Sequence, residues 1–429
     1  MDKSHSHYPA YINILKEELV PAMGCTEPIA IAYAAAKARE ALGSLPDRVE
    51  VEASDNIIKN VKSVVVPNTG NLRGIEAAAV AGIIAGKADK ILEVISSVDH
   101  AQRKEIKKFL ETAPVKVSAL DSGIIFDLIV TLAKGEDKVK VRISHYHTNI
   151  VSITRNQNVI YENTECEDTA VNKLTDRSVL NIEDIVTFAE IVDLDELAPL
   201  LQQQIDYNSR IAKEGIRGDW GANVGSVLLD TWGDDIKARA KAMAAAASDA
   251  RMGGCELPVV IVSGSGNQGI TASVPVIEYA RHLESSTEAL YRALVVANLV
   301  TIHQKTGIGR LSAYCGAVSA GAGAGAGIAW LHGGRFKEIA HTIVNALATV
   351  SGIICDGAKP SCAAKIAAAV DAGILGFQMY QQGQQFYGGD GIVTKGVENT
   401  IANVGRLGRE GMRETDKEII RIMVGKSSK

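Results

Sequence analysis

Six cysteines, Cys25, Cys166, Cys255, Cys315, Cys355 and Cys362, are the side chains with the widest chemical range in this sequence. Three open or sit within marked local settings: Met23-Gly24-Cys25-Thr26-Glu27-Pro28, Ala313-Tyr314-Cys315-Gly316-Ala317, and Cys355-Asp356-Gly357-Ala358-Lys359-Pro360-Ser361-Cys362. No Cys-x-x-Cys pair occurs, which argues against a zinc ribbon or a ferredoxin-type run. Three separated thiolates can instead hold three irons of a [4Fe–4S] cluster, the fourth iron staying open as a Lewis acid. Spacing alone leaves a second reading in place, that these are small buried hydrophobes, as free cysteines usually are.

Other polar groups carry chemistry of their own. Ser263-Gly264-Ser265-Gly266-Asn267-Gln268-Gly269 follows a strand-like run and opens a helix, so its backbone N–H groups and Ser263, Ser265, Asn267 and Gln268 suit a substrate carboxylate, or the segment is a plain tight turn. The string reads Gly-x-Gly-x-x-Gly, but no repeated βαβ units follow and Gly-Lys-Ser/Thr is absent, so neither a dinucleotide site nor a P-loop is expected. Pro67-Asn68-Thr69-Gly70-Asn71-Leu72-Arg73-Gly74 has the same strand–loop–helix form; Asn68, Thr69 and Arg73 are candidate substrate contacts, or a cap with a surface arginine. In Ser144-His145-Tyr146-His147-Thr148-Asn149, two histidines two apart point to one face of a strand and are acid/base candidates. Lys359 and Asp356 beside Cys355, and Glu27 beside Cys25, are further candidate bases. A metal pair at the histidines lacks a third ligand in sequence.

The elements that must position these groups follow from periodicity and composition. With 429 residues the chain is long enough for two or three domains and a large core. Hydrophobic residues reach 46% while aromatics are 5% with 40 Gly, so the core is built from Ala, Val, Ile and Leu with close backbone approaches. The 45 Lys+Arg against 50 Asp+Glu exclude nucleic-acid binding through bulk positive charge. Met1 to Ala10 lacks an apolar run, and the Gly/Ala-dominated stretch Leu311 to Leu331 reads as a buried helix. A cytoplasmic protein with reduced thiols, and no membrane partner, is therefore expected. Helices are predicted at Tyr11 to Val20 and Pro28 to Leu42, then a strand-rich stretch, then helices almost to the end. Strands are read at Val49 to Ala53, Lys62 to Val66, Ile91 to Ser96, Val115 to Ala119, Ile124 to Leu132, Val139 to Ser144 and Ile150 to Thr154. The expected fold class is α+β: a large, mainly helical domain with Ala/Gly-rich core helices (residues 1–46 and 170–429), and an inserted α+β sheet domain (residues 47–169). The active site is expected in the cleft between them.

The Gly-Cys-Thr-Glu segment, the Pro67-Asn68-Thr69-Gly70 loop, Tyr146-His147-Thr148-Asn149-Ile150, the Cys315 segment and the Cys355 to Cys362 segment resemble one known family. It contains L-cysteine desulfidase and uncharacterised bacterial relatives, and is related to the α subunit of iron–sulfur-dependent L-serine dehydratase. The resemblance runs over nearly the whole chain. It implies a [4Fe–4S] cluster held by Cys25, Cys315 and Cys355, with Cys362 as a candidate ligand or spare, and Cys166 and Cys255 structural. It implies no pyridoxal phosphate, and favours His147 over His145, which reads as an ordinary surface histidine. The implied reaction is elimination of sulfide from L-cysteine to give pyruvate and ammonia. The alternatives are an L-serine dehydratase, a cluster-free protein of the same fold that binds a small acid, and a zinc hydrolase. The expected partner is a small L-amino acid; a homodimer is the commonest assembly.

Overall fold

Alternation of apolar and polar residues builds the sheet, and Ala/Gly-rich runs build the helices packed beside it. The computed structural model describes residues 2–163, 174–309 and 311–424; Cys166 and the expected domain boundary at 169/170 lie outside them. The first part runs α1 (Tyr8–Glu18), β1 (Pro21–Met23), α2 (Thr26–Leu42), β2 (Arg48–Ala53), α3 (Asp55–Val61), α4 (Gly74–Ala85) and α5 (His100–Thr112). It continues through β3 (Val115–Ala119), β4 (Asp127–Lys134), β5 (Asp137–Ser144), β6 (Ile150–Arg155) and β7 (Asn158–Glu162). Strands β2 to β7 form a mixed sheet in the order β3-β2-β4-β5-β6-β7, parallel at β2/β3 and antiparallel elsewhere. On β2, Val49, Val51 and Ala53 are buried while Arg48 is exposed, the period of a half-buried strand. Strand β4 is buried on both faces up to Lys134, with α2 packed across it. Helix α2 belongs to the N-terminal segment yet packs on β4, β5 and α4.

The second part is helical: α6 (Ile182–Ile191), α7 (Ala198–Arg217), α8 (Val224–Trp232), α9 (Ile236–Met252), a short β8 (Pro258–Val260), α10 (Gly266–His282) and α11 (Thr287–Ile308). Then follow α12 (Gly316–Leu331), α13 (Phe336–Thr349), α14 (Cys362–Gln381), α15 (Val397–Arg406) and α16 (Arg413–Val424). Helix α12 is the hub, packed on α10, α11, α13 and α14 and buried from Ala317 to Trp330. The Gly-Ala alternation permits this. A Cβ on Gly321 would lie 2.3 Å from the Ala369 carbonyl oxygen, and one on Gly373 would lie 2.2 Å from that of Gly321. Bare backbone is required where α12 and α14 cross. One continuous apolar core runs from Tyr8 to Val404 through both parts. Among the described residues, Cys362–Gln381 is the one helix long and apolar enough to cross a membrane, and 56% of its apolar window is buried inside the protein.

The α+β class and the mainly helical second part agree with the sequence reading. Several strands do not. Lys62 to Val66 forms a single bridge, Val65 to Arg73, after the unanticipated helix α3. Ile91 to Ser96 is a 3-10 turn with Ile91 at φ 50°, since a short apolar run is equally at home in packed coil. Helical periodicity runs from Val224 to Ala250, but the helix is broken at Gly233 (φ 79°).

Candidate active site

Two short pairings bring the ends of the chain together. Strand β1 lies antiparallel to β8, with Pro21 opposite Val260 and Met23 opposite Pro258. Beyond β1, Gly24 turns the chain at φ +64°, and Cys25 sits at the N-cap of α2. Beyond β8, Ser263 (φ 50°) and Gly264 (φ 77°) turn the chain into α10, with Ser265 at its N-cap. The Thr26 hydroxyl donates to the Gly264 carbonyl at 2.9 Å, joining the two turns. The second pairing is the Tyr314–Ile354 bridge: Cys315 N–H donates to Ile353 O at 2.9 Å and Cys355 N–H to Ala313 O at 2.7 Å. It sets Cys315, the N-cap of α12, beside Cys355. Cys362 is the first residue of α14.

All four cysteines line one cavity of about 110 Å³, which the first residues of α2, α10, α12 and α14 also line. Four helix N-termini thus face it, a setting that favours thiolates and anions. Lys59, Arg251 and Lys305 add positive charge, all three almost fully buried. Lys59 pairs with Asp416 of α16 at 2.5 Å, and Arg251 Nη1 donates to Asn267 Oδ1 at 3.0 Å. Several buried polar atoms in this lining have no hydrogen-bond partner among the described residues: Arg251 Nε, Gln268 Oε1, Tyr314 OH and His145 Nε2. Leaving one such group unpaired costs about 1–3 kcal/mol, so their concentration makes this cavity the candidate ligand site.

The charges divide the cavity in two. On one side the Cys25 thiol donates to Glu27 Oε2 at 3.1 Å, while Asn60 Nδ2 donates to Glu27 Oε1 at 3.0 Å. Burial and the Glu27 charge push the Cys25 thiol well up. Burial alone would raise Glu27, but the His147 charge, the Cys25 hydrogen bond and Arg251 outweigh it and hold the carboxyl below its ordinary value. On the other side the Cys315 thiol hydrogen-bonds to the Cys355 sulfur. That bond, against burial and with help from Lys59 and Lys305, brings Cys355 down to about 6, while the same bond and burial push Cys315 up. Thiolate character is therefore supported at Cys355, while burial pushes the Cys362 thiol up as well.

The cavity gathers Cys25, Cys315, Cys355, Cys362, Glu27, His147, Ser263, Ser265, Asn267 and Gln268 from the sequence reading. It also takes His145, read as an ordinary surface histidine. The two histidines lie in the turn after β5 rather than on a strand, His145 at φ 69° and His147 with its ring 4.7 Å from that of Phe126. Lys359 is not among the lining residues; it pairs with Asp356 at 2.8 Å and closes the 355–362 loop. Asn68, Thr69 and Arg73 also stand away from the lining. Asn68 is buried and donates to Met23 Sδ at 3.2 Å and Ile95 O at 2.9 Å, and a Cβ on Gly24 would lie 2.6 Å from Pro67 Cγ. The loop braces the Cys25 turn from behind instead of meeting a ligand beside the thiols. Lys59, Asn60, Arg251 and Lys305 escaped the sequence reading, being single polar residues on helices with no local motif around them. A larger vestibule of about 1040 Å³, lined by Gly123 to Phe126, His145, Tyr146 and the α11 end, shares Phe126, His145, Ser263, Lys305 and Leu311 with the cavity.

The donor set bears on what could be held here. Among the described residues no group of three or more His, Cys, Asp or Glu side chains is gathered for a single metal ion. The thiols are instead spread over the wall of one cavity with cations behind them. That arrangement suits a polynuclear group of net negative charge with cysteine ligands.

The family profile described as serine dehydratase alpha chain matches residues 89–421. A UPF0597 protein of Desulfitobacterium hafniense is 63% identical over 428 residues, covering 100% of this chain and 99% of that protein. A UPF0597 protein of Lachnoclostridium phytofermentans is 54% identical over 419 residues (97% of this chain, 100% of that protein). One of Treponema denticola is 46% identical over 429 residues (99% and 100%). With matches of this extent, the chain belongs to the serine dehydratase alpha chain family, which supports a lyase-type enzyme.

Proposed function

We propose that this protein is an iron–sulfur-dependent lyase that eliminates sulfide from L-cysteine to give pyruvate, ammonia and sulfide. The observation that carries the reading is the meeting of Cys25, Cys315 and Cys355 from opposite ends of the chain in one buried cavity. These three would hold a [4Fe–4S] cluster, with Cys362 beside them as a candidate fourth thiol. When bound, the cluster supplies a Lewis acid for the leaving sulfur, and soft sulfur suits iron better than hydroxyl does.

The remaining residues divide the other tasks. Arg251, with Asn267 and the N-terminus of α10, receives the α-carboxylate; its unpartnered Nε is a donor waiting for one. His147 takes the Cα proton, and the Glu27 charge stabilises the imidazolium that forms. The Cβ–S bond breaks as the Cα–Cβ double bond forms. The aminoacrylate released tautomerises and takes up water to give pyruvate and ammonia. The small cavity admits a three-carbon amino acid and keeps bulk water from the reacting atoms.

The family description favours a second reading, elimination of water from L-serine by the same residues. Anaerobic reconstitution followed by parallel assays separates the two. The proposal expects brown protein with about four irons per chain, and pyruvate matched by sulfide from L-cysteine. Faster pyruvate release from L-serine would assign the second reading. Iron-free, inactive protein still stabilised by an amino acid would assign a binding role.

A further inference from the structure

The loop that braces Cys25 has a second face. Val65, Val66, Asn68, Gly70 and Asn71 form one wall of a separate open groove of about 790 Å³. The opposite wall is α7, which presents Arg210, Lys213 and Arg217 at positions i, i+3 and i+7, one side of the helix. The other charges in the lining are engaged. Arg103 pairs with Glu256 at 2.6 Å, and Arg281 pairs with Glu278 and donates to Ser209 at 3.1 Å. Glu214 accepts the Trp220 indole N–H at 3.1 Å, and Asp206 accepts from Gln202 at 2.8 Å. Arg210, Lys213 and Arg217 are exposed and make no hydrogen bond or ion pair among the described residues.

A chain of net charge −5 has no general surplus of cations to explain this. Asp206 and Glu214 keep their charge, but Arg103, Arg210, Lys213, Arg217 and Arg281 outnumber Asp206, Glu214 and Glu256 in the lining, so the groove is net positive and the three cations on α7 focus that potential into it. Guanidinium groups bind carboxylate and phosphate oxygens in bidentate fashion, and two of the three are arginines. The groove exceeds what a single inorganic ion fills, and Ile205, Leu257 and Trp220 give it an apolar floor.

We propose that this groove binds a small organic polyanion carrying two or more negative charges, either phosphoryl or carboxylate. Such a ligand would lie across the 68–71 loop from the Cys25 turn, in contact with the wall that braces it. The inference does not depend on the reaction proposed above.

The test uses the full chain at low ionic strength. Citrate and pyrophosphate are titrated separately, followed by calorimetry and by tryptophan fluorescence, in the wild type, R210Q/K213Q/R217Q and W220F. The expected result is saturable binding of one ligand per chain with Kd below about 1 mM. Binding weakens at least about tenfold in the triple variant and with added salt, and the fluorescence change is lost in W220F while the heat remains. Tighter citrate binding assigns the carboxylate source, tighter pyrophosphate binding the phosphoryl one. The replaced side chains are exposed, and the single variant K213E supplies a second, milder test with binding weakened in the same direction. Failure of both probes to saturate, or unchanged binding in the charge variants, would overturn the proposal.

Discussion

The thiol cavity and the arginine groove lie on either side of one loop, yet they are built on opposite terms. The cavity is small and opens towards the vestibule, and its lysines, arginine and glutamate are buried, with orphaned polar atoms among them. Its geometry depends on backbone: two short pairings, left-handed glycines at Gly24 and Gly264, and four helix ends. The groove is seven times larger and open, and its cations are solvated side chains on the face of one helix. The lesson is that polar groups in the first region cost stability and need a ligand to repay it, whereas those in the second are nearly neutral for folding. Substitutions should therefore separate stability, cofactor and ligand effects according to side.

The largest effect belongs to the cavity thiols. Cys25→Ser, Cys315→Ser and Cys355→Ser should each abolish retained iron and reduce lyase activity by at least about a hundredfold, as loss of a metal centre's ligand does. Their thermal midpoints as metal-free proteins should stay close to the wild type. Iron analysis beside calorimetry checks this, and full iron retention in any one variant would remove that cysteine from the ligand set.

Next comes the backbone that seats the first thiol. Gly24→Ala places a Cβ 2.6 Å from Pro67 Cγ at φ +64°. It should destabilise the protein by about 1–3 kcal/mol and lower iron retention with it. Gly321→Ala, in the α12–α14 crossing, should destabilise by a similar or larger amount while the cavity residues themselves are untouched. Denaturant midpoints of the two variants, set against iron per chain, compare a local brace with the general scaffold.

Arg251→Lys keeps a positive charge but loses the fork. It should retain iron, raise KM for the amino acid by about tenfold or more, and leave kcat less affected. A KM unchanged from wild type would move the carboxylate elsewhere in the cavity.

The smallest effect lies outside both regions. Glu398 accepts from Ile182 N–H at 2.7 Å and contacts His303 Nε2 at 2.7 Å, holding α6, α11 and α15 together. Burial pushes its carboxyl up, but His303 outweighs this and the net shift is below the ordinary 4.5. A carboxyl lowered in the folded state stabilises fully above its unfolded pKa and loses that contribution as pH falls through the folded one. Glu398→Gln should therefore lower the thermal midpoint by a few degrees at pH 7 and shrink the wild-type loss below about pH 4.5, with the two curves converging in acid.

Much of this architecture was legible because it rests on repetition. The alternation of β2 and the Gly-Ala run of α12 are local signals that led to the right element, and the marked cysteine segments are ones whose thiols the structure gathers in one cavity. What escaped is non-local or contextual. A three-residue pairing between Pro21–Met23 and Pro258–Val260 leaves no periodic trace. Lys59, Arg251 and Lys305 look like ordinary helix-surface cations until packing buries them. The Pro67–Gly74 loop has the form of an anion receptor, but its left-handed Asn68 turns the amide towards Met23 and makes it a brace. Lys359 stands close to Cys355 in sequence, yet the turn through Gly357 directs it to Asp356.

The central claim is that thiols from both ends of the chain share one inorganic centre. Its most direct test is the iron and acid-labile sulfide content of the anaerobically reconstituted wild type, measured beside C25S/C315S/C355S. The account predicts about four irons and four sulfides per wild-type chain and background levels in the variant. Equal metal content in the two proteins would contradict it.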